Sequence, residues 1–398
     1  MKDLRYITYF EELLQEANNE LVKKAKNEGR IALGYSCYFL PEVIMNLPGC
    51  FSTRLRAPNT QETEMGTYYM TNRVCTYSRS ILERAVEGGY DYLDALLSAE
   101  TCPTMYRGHE YFDYLKLVEA TNPDFFVTRM PMPNSIDERS AVFYTYQMKN
   151  VILDRLAQVY GIDISDEAIM KAIKNHNELC RIITEIGDLR KLDNPPITGY
   201  EFHVIQLVSQ VCPHDLIVPY LKETLEELKN REIDPKPWYR ARIVIAGSEI
   251  DDPEFIKLVE DCGALVVADR FCFGSLPGRE TIDVQDGEKP LHAIARHYIA
   301  NGKCPRVMTQ SKAKEREDYI EYLYNEYNAD GVLIEQMKFC DFWSYEKFFL
   351  TQIVAKEREI PMAGIEKEYT LAGAGQIKTR IQAFVESLEI KKLQKNNK

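Results

Sequence analysis

Six of the ten cysteines stand at the ends of apolar runs or in short loops, where thiols from separate segments can be gathered. In Gly331-Val-Leu-Ile-Glu-Gln-Met-Lys-Phe-Cys340, the apolar residues Val332–Ile334 give way to polar ones and then a thiol, and a helical pattern opens at Ser344. That pattern predicts a buried strand delivering Cys340 at its carboxyl end, where open α/β sheets place their ligand sites. Cys37 after Ile31-Ala-Leu-Gly-Tyr, Cys102 after Tyr92–Leu97 and Cys272 after Ala264–Ala268 repeat it. Cys75 precedes or begins a helix, whose N–H groups favour an anionic thiolate or cluster. Cys304 lies in Gly302-Lys-Cys-Pro305. Soft thiolates drawn together in this way can build an iron–sulfur centre. No Cys-x-x-Cys occurs, which argues against compact ferredoxin spacings and a zinc ribbon, so any such site must converge through the fold. Burial of a small hydrophobe accounts for strand-end cysteines equally well, and it is the expected role of Cys50, Cys180, Cys212 and Cys262.

Other constellations carry less. Ile245-Ala-Gly247-Ser-Glu249 before a helix at Asp252 has the strand–turn–helix form of a nucleotide site, but a single glycine and no Walker motif. Gly373-Ala-Gly375 suits an anion or simply a flexible loop. His109 follows Cys102 closely and is expected near the site. His203, His292 and His297 fall in helical patterns and are expected to be packing or surface residues, and no Ser-His-Asp arrangement can be argued.

The elements that must position these residues follow from length and periodicity. A chain of 398 residues exceeds one ordinary core and implies about two α/β units. One amphipathic helix is predicted over 3–28, then a strand at Ile31, a loop over 52–72, and strands near Tyr92 and Asp124. From Asp137 to Glu232 the pattern is helical. Pro235-Lys-Pro237 reads as a linker. Strands at Ala241–Ala246, Ala264–Ala268, Gly331–Gln336 and Pro361–Glu366 then alternate with helices, implying a parallel sheet covered on both faces. The expected division is 1–136 for the N-terminal helix and first α/β unit, 137–237 for a helical segment and linker, 238–390 for a second α/β unit, and 391–398 for a frayed polar tail. A net charge of −12 disfavours nucleic acid or an anionic membrane as partner. No apolar run approaches the ~20 residues of a membrane helix, and the charged N-terminus is unlike a signal peptide. A cytoplasmic location is expected.

Several segments together resemble the 2-hydroxyacyl-CoA dehydratase and benzoyl-CoA reductase family. They are Gly34-Tyr-Ser-Cys37-Tyr-Phe-Leu-Pro41-Glu42, Val74-Cys75 with Arg79, Glu100-Thr-Cys102, Asp269-Arg-Phe-Cys272-Phe-Gly274-Ser275, Met337-Lys-Phe-Cys340-Asp, Ile360–Glu366 and Gly375–Glu386. The resemblance runs from about residue 30 to 388. It implies two Rossmann-like α/β domains with parallel sheets, a helical layer between them, and an iron–sulfur cluster in the interdomain cleft. It also implies a [4Fe-4S] cluster on Cys75, Cys102 and Cys340 and a dimer with a sister subunit or a second copy. A separate ATP-dependent iron–sulfur activator would supply electrons, in keeping with the lack of an ATP motif. The implied reaction is that of a hydro-lyase, loss of water from a (R)-2-hydroxyacyl-CoA through a ketyl radical. Ser36 and His109 are candidates for polar contacts to substrate or cluster. Cys37, Cys272 and Cys304 exceed what one cluster needs, so an [8Fe-9S] double cubane reducing small molecules is the alternative metal centre. A benzoyl-CoA-reductase-like subunit and a non-catalytic electron-relay partner are further alternatives.

Overall fold

The computed structural model describes all residues except Met1, Gln61, Pro235, Lys236, 276–278, 371–372 and 397–398. It holds two four-stranded sheets in which every pairing is parallel. The first is ordered β2-β1-β3-β4, from β1 (Ile31–Tyr35), β2 (Cys50–Arg54), β3 (Ala95–Leu96) and β4 (Phe126–Val127). The second is ordered β6-β5-β7-β8, from β5 (Ala241–Gly247), β6 (Ala264–Phe271), β7 (Gly331–Met337) and β8 (Met362–Lys367). Helices connect most successive strands, as parallel pairing requires. The fold is α/β with two Rossmann-like sheets. In each sheet the strand order reverses beside a central strand, β1 or β5, which is where such sheets open a crevice for ligands.

The second sheet forms where its apolar runs predict. β5, β6 and β7 are buried along their whole length, as strands covered on both faces must be. The first sheet departs from expectation. β2 lies in a stretch that reads as a loop from residue 52, because Cys50-Phe-Ser-Thr-Arg54 lacks an apolar run. It is nonetheless fully buried, since neighbouring layers cover both of its faces. β3 and β4 shrink to two residues each, extended only by the Ala99–Met130 bridge.

The N-terminal helix is two helices, Ile7–Leu13 and Glu20–Asn27. They break where the Asn19 side chain accepts from the Leu21 and Val22 amides and starts the second. The tail is not frayed over 391–396, because the last helix runs from Ala374 to Asn396. Pro235 and Lys236 of the expected linker lie outside the described residues.

One helix of the helical segment sits between the sheets. Helix Gly199–Val211 is apolar nearly all round, starts on a Thr198–Glu201 capping box, and packs against both β2 and β6. A Cβ at Gly199 would lie 2.5 Å from the Val266 side chain, so only glycine permits this approach. One apolar core is shared by both sheets, with Leu33, Ala95 and Leu97 from the first joined to Val244, Val332 and Ile334 of the second. Among the described residues, no helix is long and apolar enough to cross a membrane.

Candidate metal centre

Three of the singled-out cysteines occupy one kind of position. Cys75 is the N-cap of helix Thr76–Val86, Cys102 of Pro103–Tyr114 and Cys340 of Asp341–Phe349. No oxygen or nitrogen side chain caps these helices; first-turn amides of Tyr77 and Ser78 turn to the Cys75 sulfur and that of Trp343 to Cys340, and the positive end of each helix dipole lies beside its sulfur. The turn into Cys340 is strained. Phe339 adopts a left-handed φ of 64°, and the Cys340 amide donates to Met337 O at 3.0 Å. The Cys102 sulfur lies 3.2 Å from Thr104 Oγ1.

These thiols sense one another. Burial, and then the nearby Cys102, push the Cys75 thiol up to about 12. Burial, Cys75 and Cys102 push Cys340 well above the ordinary thiol range. Three thiolates so placed are mutually unfavourable without a compensating cation, and a metal that deprotonates its ligands is the usual one. Among the described residues, no three His, Cys, Asp or Glu side chains close on a point as ligands of a single ion do. A polynuclear cluster takes each thiolate at a different iron, and the donor type, burial and convergent helix N-termini fit it.

Cys37, Cys272 and Cys304 form a second group. Cys37 follows β1, Cys272 follows β6, and Cys304 follows helix Pro290–Asn301. Burial and then Cys37 raise Cys304 to about 12, while burial, Glu249 and Cys304 raise Cys272 far above the ordinary range. Cys37 is raised by burial too, against a hydrogen bond with the Thr101 side chain.

Two charged residues that sequence reasoning missed tie this region together. Arg54, at the end of β2, donates from Nη1 to Cys272 O at 2.6 Å and from Nε and Nη2 to Ser36 O at 3.2 and 3.1 Å. It stacks on Phe273 and lies 3.8 Å from Glu249. Glu249, just beyond β5, disfavours the thiolates of Cys37, Cys272 and Cys75, so it stands between the two groups. Its own carboxyl is raised to about 7 by burial, with Asp251 and Glu335 adding to the rise and Arg54 opposing it. The Gly247-Ser-Glu249 turn that suggested a phosphate loop thus carries a carboxylate. Its chemistry was legible only as a turn, because nothing in the local sequence says where the acid points.

Ser36 is buried, and its hydroxyl has no partner among the described residues. His109 lies on the helix capped by Cys102, with Nδ1 2.9 Å from Ser98 Oγ and Nε2 unpaired. Burial lowers it to about 3, so the ring is neutral. His203 and His297 are buried, while His292 is partly exposed beside Glu138. Cys50, Cys180, Cys212 and Cys262 are buried and free.

Comparison with known proteins converges on one family. The model for "2-hydroxyglutaryl-CoA dehydratase, D-component" matches residues 37–388. The chain is 22% identical over 384 residues to the (R)-phenyllactyl-CoA dehydratase beta subunit of Clostridium sporogenes, covering 96% of this chain and 99% of that one. It is 25% identical to the putative dehydratase subunit YjiM of Escherichia coli (92% and 94% covered). It is 19% identical to a benzoyl-CoA reductase subunit of Thauera aromatica (92% and 93% covered).

Proposed function

This chain belongs to the 2-hydroxyglutaryl-CoA dehydratase D-component family, and on that premise we propose that it is the iron–sulfur subunit of a 2-hydroxyacyl-CoA dehydratase. In this reading it binds a [4Fe-4S] cluster through Cys75, Cys102 and Cys340 and works with a sister subunit or second copy and an ATP-dependent activator. The observation that supports the reading is the gathering of one buried and two partly buried thiols at the N-caps of three helices, two from the first half of the chain and one from the second. Relatives named as beta subunits of dehydratases, or as subunits of benzoyl-CoA reductase, support a sister-chain partner.

When bound, the cluster supplies one low-potential electron and a Lewis-acidic iron, which is what loss of hydroxide from C2 of a thioester needs. The chain's own residues provide the rest. The three helix ends hold negative charge at the thiolates. The Ser36 hydroxyl and His109 Nε2, both unpaired, are proposed as polar contacts to substrate or cluster. Arg54 fixes the backbone at Ser36 and Cys272 and so holds together the two loops flanking the cleft.

A second reading is favoured by one observation, the gathering of Cys37, Cys272 and Cys304 beside Glu249. Six thiols in two groups suit an [8Fe-9S] double cubane. Iron and acid-labile sulfide on anaerobically purified protein test both readings. About four irons, lost in Cys75→Ala and kept in Cys37→Ala, support the single cluster, and about eight, disturbed by both changes, support the double cubane. Absence of iron after reconstitution would overturn both. A change in the cluster's EPR signal on adding 2-hydroxyacyl-CoA to this chain, alone and with its sister, tests the substrate class.

A further inference from the structure

Away from the six thiols, one more cysteine stands in reactive company. Helix Asp166–Asp188 carries His176 and Cys180 one turn apart on its buried side. Cys180 Sγ lies 3.3 Å from His176 Nε2, and His176 Nδ1 lies 2.9 Å from Glu42 Oε1. Nucleophile, base and orienting carboxylate stand in the order that activates a thiol. The second Glu42 oxygen is 3.5 Å from His214 Nε2. Burial works against the His176 proton, but Cys180 and Glu42 outweigh it and push the imidazole up to about 10.

The triad lines a cavity of about 60 Å³, together with Arg54, Arg279 and Gln206. Gln206 is buried, and its Oε1 has no partner among the described residues. A water needs about 10–15 Å³ by this measure, so the cavity has room for a few water-sized molecules.

We propose that Cys180 is a peroxide-reactive thiol and that hydrogen peroxide is the ligand this cavity takes. The thiol proton rests on His176 Nε2, and the imidazolium also donates from Nδ1–H to Glu42, so the sulfur meets the peroxide as a thiolate. The sulfur attacks one peroxide oxygen, an S–O bond forms and the O–O bond breaks. The departing oxygen recovers the proton from Nε2 and leaves as water. Sulfur is oxidised by two electrons to the sulfenic acid as the peroxide is reduced, and Arg54 and Arg279 on the wall favour the negative charge that builds on the leaving oxygen. The cavity and triad carry this inference without reference to the cluster or the dehydratase reading.

The test treats the purified full chain with one equivalent of hydrogen peroxide and quenches it into denaturant containing dimedone. Peptide mass spectrometry then compares Cys180 with Cys50, Cys212 and Cys262, the other buried free thiols. Cys180 is expected to form sulfenic acid at least about tenfold faster than those three, and His176→Gln to slow it by about a hundredfold, the lower end of base effects. Oxidation of Cys180 no faster than Cys262 would overturn the proposal, and so would an unchanged rate in a folded His176→Gln chain. If that variant does not fold, the comparison of thiols within the unsubstituted chain decides.

Discussion

The two thiol groups occupy one molecule and are built by different means. Cys75, Cys102 and Cys340 are each presented by a helix end, so main-chain amides and dipoles supply the field around them. Cys37, Cys272 and Cys304 sit on connecting loops, and side chains supply theirs, Arg54 and Glu249 at Cys37 and Cys272 and Arg316 and Arg306 at Cys304. A field made of backbone is insensitive to substitution at any one residue, while a field made of a few side chains depends on each of them. The difference predicts that the second group yields to single changes that leave the first intact.

The largest such effect is expected at Arg54. Arg54→Met removes its bonds to Ser36 O, Cys272 O and Gln210 and leaves Glu249 without its cation. Glu249 can then take up a proton, so the cost falls on the carbonyls that lose their donor, at about 1–3 kcal/mol for each one left unpaired. Denaturant unfolding should register that loss, and iron analysis should find the site proposed at Cys75, Cys102 and Cys340 loaded as in the unsubstituted chain. Equal loss at both groups would erase the contrast.

Acid should weaken the first group through its own helix. His109, His203 and His297 are kept neutral by burial, at about 3, 3 and 4. Their folded values lie below the unfolded one, so the stability they contribute is present above about 6.5 and lost as pH falls below it, at about 1.4 kcal/mol per pH unit for each ring. His176 has the opposite sign. Its raised value gives stability below about 6.5 that is lost as pH rises through about 10. His109→Gln should therefore make acid unfolding shallower by about one ring's share, read from stability at pH 5 against pH 7.

The smallest effect is expected at Phe339. Its left-handed backbone costs about 1–2 kcal/mol relative to glycine. Phe339→Gly should raise stability by about that amount less the contacts of a ring that is 40% exposed, with iron binding unchanged. A fall in stability would mean that the ring, rather than the turn, positions Cys340.

What the sequence made legible divides along the same line. The strands of the second sheet and the N-cap position of Cys75 follow from local pattern, because apolar runs and helix starts are local signals. β2 escaped because a strand covered by neighbours on both faces needs no apolar alternation of its own to be buried. The break at Asn19 escaped because the apolar stripe continues across it. Arg54 and Glu249 escaped for a third reason. Their roles are contacts between residues about 200 positions apart, and no local window contains both.

The first group also sets an order in time. Cys75 and Cys102 belong to the first sheet's half of the chain, while Cys340 follows β7 in the second. The third sulfur is made 238 residues after Cys102. At about 5–20 residues per second, a growing chain carries only two of the three proposed ligands for roughly 10–50 s. On the proposed ligand set, metal delivered before that interval ends would meet two sulfurs and no enclosure, so loading of the site would certify that synthesis has passed β7 and that the two halves have met.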